Sequence, residues 1–101
     1  MTNIPRPLGE REIQLINLYV NCQLSMSPRQ FNAKWGVNYE QIAEICDRSI
    51  STVNRWFHPG RNYQPPEKAD QRHLALMDFL LEHEQDIPSE LMNQLCPRNG
   101  T

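Results

Sequence analysis

In the stretch IAEICDRSISTVNRWFHPGRN, Ile42 to Asn62, one helical pattern gives way to another almost at once. Upstream, Asn38 can cap a helix, with Gln41 three residues on in capping-box spacing and Val37 and Ile42 placed for a hydrophobic staple. Ile42, Ala43, Ile45 and Cys46 supply the buried face of that first helix. Ser49 caps the second, and Pro59-Gly60 stops it. Two helices joined this tightly must cross at close range, so the first needs a small residue at the crossing. Ala43 is that residue. The turn needs a residue that tolerates left-handed dihedrals, which Asp47 does better than most. Val53 and Trp56 then point inward.

The rest of the chain is also helical in pattern, and strand signals are weak throughout. GEREIQLINLYVNCQ gathers Ile13, Ile16, Leu18 and Val20, with Leu15 and Tyr19 widening the apolar face. SMSPRQFNAKWG has Ser27 as a cap, Pro28 at the first helical position and Gly36 past the end, with Phe31, Ala33 and Trp35 as its apolar set. PGRNYQPP is a basic loop. A long helix over 67–84 opens at Pro66 and Glu67, IPSELMNQLC adds a short turn of helix, and 96–101 reads as a frayed tail. The expectation is one all-α domain over 1–101 with five to six helices. The helix-turn-helix core sits at about 38–58, between an N-terminal helix pair and the long C-terminal helix.

Composition narrows the function. With 39% hydrophobic and 22% charged residues, the chain suits a soluble globular protein. No apolar run approaches the roughly 20 residues a membrane helix needs. MTNIPRPL has no apolar signal core, so a cytoplasmic, nucleoid-associated protein is expected. Cys22, Cys46 and Cys96 form no CxxC pair, and His73 and His83 are too far apart for one helical turn. No metal, no cofactor and no enzymatic activity are expected.

In IA followed by S..TV.RW, the chain resembles the bacterial helix-turn-helix DNA-binding superfamily, including resolvase- and transposase-like, homeodomain-like and MerR-like regulators. The resemblance covers Tyr39 to about His58. It departs at Asp47, where many members carry Gly, and at Arg48, where many carry an apolar residue. It implies that the second helix, 50–58, reads the major groove of double-stranded DNA.

The net charge of −2 seems at odds with a DNA reader, but the charges are segregated. From Arg48 to Pro66 there is no acid, while Arg48, Arg55, Arg61 and His58 are present. From Glu67 onward, seven acids face three bases. Such a dipolar chain orients on a phosphate surface, and salt screens the acidic end over about 8 Å. The candidate DNA-binding residues are Arg48, Ser49, Ile50, Ser51, Thr52, Asn54, Arg55, His58, Arg61 and Asn62. Arg55 suits a guanine edge, Asn54 an adenine edge, and Ile50 a thymine methyl. Ser49 and Thr52 suit capping and backbone contacts, while Arg61 and Asn62 suit phosphate or an adjacent groove.

HLALMDFLLEH has more apolar residues than one face can hold. Leu74, Leu76, Met77, Leu80 and Leu81 share a broad face, and Phe79 lies off it. This favours a homodimer through helix 67–84, reaching half-sites about 34 Å apart. The leading expectation is a small sequence-specific transcriptional regulator. The alternative is a protein-interaction adaptor whose apolar C-terminal helix takes a protein partner. A recombinase fragment is disfavoured, since no catalytic domain fits.

Overall fold

Short polar side chains, Ser27, Asn38 and Ser49, start three of the helices at the positions their spacing predicts. The computed structural model describes residues 5–97, which hold six α-helices and no strand. These are α1 (Glu10–Asn21), α2 (Pro28–Trp35), α3 (Tyr39–Cys46), α4 (Ile50–Phe57), α5 (Lys68–Glu82) and α6 (Ser89–Leu95). A single 3-10 turn, Glu84–Asp86, lies between α5 and α6.

At α2, the Gln30 N–H donates to Ser27 Oγ (3.1 Å) and the Ser27 N–H donates to Gln30 Oε1 (3.0 Å). At α3, Asn38 and Gln41 make the same reciprocal pair at 2.8 and 3.1 Å. Each box satisfies two otherwise orphaned backbone donors, and a side-chain cap is typically worth about 1 kcal/mol. Gly36 ends α2 at φ 64° and Asp47 ends α3 at φ 55°, both left-handed. The Arg48 N–H then returns to the Ala43 carbonyl at 2.9 Å, which closes the turn into α4.

The core is small and centred on the α3–α4 pair. Phe31 of α2, Ile42, Ala43 and Cys46 of α3, Val53 and Trp56 of α4, and Leu74 of α5 are buried together. Ala43 is 4% exposed within the core that α3 and α4 share. Val37 rests against this core, on the side where the staple with Ile42 is expected. Across the molecule, α2 and α5 are clamped by polar contacts. Lys34 Nζ reaches Asp78 at 2.8 Å and Glu82 at 3.4 Å, and the Trp35 indole N–H donates to Asp78 at 3.0 Å. The hydrogen bond from Lys34 comes first among the causes that hold the Asp78 carboxyl below its ordinary range.

Three expectations about packing need correction. Ala33 faces solvent, so α2 is anchored by Phe31 and the half-buried Trp35. The long helix ends at Glu82, and it presents a stripe narrower than the sequence suggests. Asp70 and Leu74 are buried and Met77 packs against the core, Leu80 is half-buried, and Leu76, Phe79 and Leu81 stay exposed. Most consequential, α1 does not flank the core. None of its residues is buried among the described residues. The radius of gyration is accordingly 17.1 Å, against roughly 13 Å for a compact chain of this length. Beyond Pro97, the tail expected over 96–101 lies outside the described residues.

Candidate nucleic-acid interface

At two turns, α4 is too short to be stable alone, and it is held from three directions. Val53 and Trp56 anchor its inner face in the core. At its start, the Thr52 N–H donates to Ser49 Oγ at 3.1 Å, and the two hydroxyls lie 2.9 Å apart. At its end, three carbonyls with no partner inside the helix find donors. The Asn54 carbonyl accepts from His58 Nδ1 at 2.8 Å, the Arg55 carbonyl from the Gln64 N–H at 3.4 Å, and the Phe57 carbonyl from Arg29 Nη2 at 3.0 Å. Because a carbonyl only accepts, the neutral His58 ring carries its proton on Nδ1 and keeps Nε2 as an acceptor.

The outer face follows from that anchoring. Ile50 (53% exposed), Ser51, Asn54, Arg55 and His58 all reach solvent. Ser51, Asn54, Arg55 and His58 share a shallow depression of about 280 Å³ with Asn62 from the following loop. A second depression joins Arg55 to Arg61, Asn62, Tyr63 and Gln64. The loop is shaped by Gly60, whose φ of 140° is closed to other residues without strain, and by a Tyr63 N–H bond to the Gly60 carbonyl at 3.1 Å. Arg55 Nη1 donates to Gln64 Oε1 at 3.4 Å, so side chain and backbone both tie the loop to α4. Helix and loop form one continuous polar surface containing Arg55, Arg61 and His58 and no acid.

Eight of the ten residues predicted for the site are exposed: Ser49, Ile50, Ser51, Asn54, Arg55, His58, Arg61 and Asn62. Thr52 is half-buried beside its cap, which leaves it a backbone role. Arg48 is a correction. Its Nε and Nη2 donate to the two carboxylate oxygens of Asp70 at 2.9 and 3.1 Å, and Nη2 also lies 3.4 Å from Glu67. The guanidinium is thus turned from the α4 face onto the start of α5, and its positive charge is matched there. Its pKa is raised further, chiefly by the hydrogen bonds to Asp70.

Sequence reasoning missed Tyr63 and Gln64 in the loop and Arg29 beneath the end of α4. The polar run RNYQ, next to residues already chosen, was the available signal for the first two. Nothing local marks Arg29, whose partner carbonyl is 28 residues away. Among the described residues, no cluster of His, Cys, Asp or Glu could hold a metal ion, and no helix is long and apolar enough to cross a membrane. Compared with known proteins, the chain matches no protein-family model, no curated protein and no solved structure.

Proposed function

We propose that this chain is a sequence-specific DNA-binding protein, a small transcriptional regulator whose α3–α4 pair works as a helix-turn-helix with α4 in the major groove. One observation carries the reading. A rigid two-turn helix presents Ser51, Asn54, Arg55 and His58 on one exposed polar face, continuous with a loop bearing Arg61 and Asn62 and free of acids.

Arg55 offers a planar fork matched to the guanine O6 and N7 pair, and Asn54 offers the donor and acceptor that an adenine edge requires. Ile50, exposed at the first turn, suits a thymine methyl. Arg61 lies in the loop, off the helix, and contributes phosphate contact and salt dependence rather than sequence information. With Arg48 matched by Asp70, the basic side chains of this surface are few, so non-specific affinity is modest and base contacts carry more of the selectivity. The proposed place of action is cytoplasmic and nucleoid-associated, with no enzymatic step.

Recovery of bound fragments from sheared genomic DNA tests the reading. A short recurrent motif, bound much more tightly than random duplex at physiological salt, supports it. Equal and weak retention of all fragments overturns it, and would favour the adaptor reading, for which the exposed apolar residues of α1 are the specific support.

A further inference from the structure

α1 has the composition of a buried helix and none of the burial. At 100° per residue, Leu18, Leu15, Tyr19, Ile16, Val20 and Ile13 follow one another around an arc of about 220°. All six are between 47% and 67% exposed. An isolated helix of about 12 residues is marginal in water, and its stability ordinarily comes from packing an apolar face. Within the described residues α1 has little to pack on. Its visible tether is Arg72, whose Nη1 donates to Tyr19 Oη at 3.4 Å and whose guanidinium lies 5.1 Å from the ring centre. That tether lays the last turn of α1 beside a cleft lined by Lys68, Arg72 and Leu76 of α5.

We infer that α1 is the seat of a two-fold homodimer, in which the α1 helices of two copies pack antiparallel. Two features favour a second copy of this chain over another partner. The first is the apolar face. Ile13, Leu15, Ile16, Leu18, Tyr19 and Val20 are each 47–67% exposed, and in an isologous pair each copy of α1 covers the apolar face of the other.

The second is charge. The first turn of α1 carries Glu10 and Glu12, with Arg11 between them, and its last turn lies beside Lys68 and Arg72. Antiparallel pairing brings the start of each helix to the end of the other. Glu12, whose Oε1 accepts the Gly9 N–H at 2.9 Å, sits on the same side of the helix as Tyr19 and Ile16, so its second oxygen meets Arg72 of the second copy, and the reciprocal contact forms by symmetry. This seat differs from the dimer expected through helix 67–84, where Phe79 is exposed and lies beside His83, ring centres 4.6 Å apart. The inference does not rest on the DNA reading.

Light scattering on the full chain tests it. The wild type is expected at twice the 11.9 kDa chain mass. Ile16→Asp is expected to run as a monomer with Cys46 still protected from a thiol reagent, which shows that the core is intact. Glu12→Arg and Arg72→Glu should each raise the dimer dissociation constant by roughly tenfold, and together restore it. A wild type that is monomeric at about 100 μM, where even weak specific pairs associate, overturns the proposal. So does a dimer that Ile16→Asp leaves unchanged, or an Ile16→Asp chain whose Cys46 becomes reactive.

Discussion

Arg48 and Asp70 meet through two parallel hydrogen bonds, 2.9 and 3.1 Å long, although 22 residues separate them in sequence. Asp70 is 2% exposed, and the same carboxylate accepts the Glu67 N–H at 2.9 Å, which starts α5. The pair is lopsided, because Arg48 retains access to water and to Glu67 while Asp70 does not. Removing Arg48 strands a buried carboxylate, whereas removing the charge of Asp70 lets the guanidinium turn outward. Arg48→Met should therefore lower the urea midpoint more than Asp70→Asn. The reverse order would mean that Arg48 provides little of what compensates the buried charge.

Arg55 and Arg61 should fail differently on DNA. Arg55→Ala should weaken the preferred site by roughly 5- to 150-fold, the equivalent of one bidentate base contact, and relax preference at one position. Arg61→Ala should weaken all sequences alike and reduce the salt slope by about one unit. Titrations on specific and random duplexes at several salt concentrations distinguish them. Equal losses on both duplexes for Arg55→Ala would reduce it to a phosphate contact.

Ala43 is buried in the core that α3 and α4 share. Ala43→Leu should overpack it and cost about 1–3 kcal/mol in a denaturant melt. An unchanged midpoint would show that the two helices separate easily, contrary to the close packing described.

Burial pushes the Cys46 thiol up from 9.0 to about 11, while Cys22 and Cys96 are exposed. In the native protein at mild alkaline pH, a thiol reagent should find two reactive groups, and a third only after unfolding. The folded state holds this proton more tightly than the unfolded chain. Its contribution to stability is therefore fully present below pH 9.0 and is lost as the pH rises through about 11. Cys46→Ala should remove that part of the alkaline decline in stability, as followed by thermal melts across pH.

Features that depend on neighbours in sequence were legible before the fold was known. Ser27, Asn38 and Ser49 cap through residues three positions on, and Asp47 takes the left-handed turn that its own side chain tolerates. Val53 and Trp56 follow from period alone. The pairing of Arg48 was not legible because its partner is supplied by a distant helix, and a positive charge beside the start of α4 looks the same in the sequence whether paired or not. Period also overstated the buried face of α5, since a row of leucines does not say how many neighbours will come to cover it. α1 went astray for the same reason. Its apolar pattern is real, but the surface that would satisfy it is not within the described chain.

Asp70 has a further consequence for how the molecule opens. Its carboxylate accepts from Arg48, in the turn into α4, and from the N–H of Glu67, the cap of α5, and its backbone carbonyl accepts from the Cys46 thiol at 3.7 Å. The end of α3, the entry to α4 and the start of α5 thus hinge on one residue. Hydrogen exchange in these three places should proceed through a single shared opening, as in a cooperative unit. With α4 coupled in this way, its N-terminal end does not fray alone; exposing that end requires loosening the foot of α5, the longest helix among the described residues.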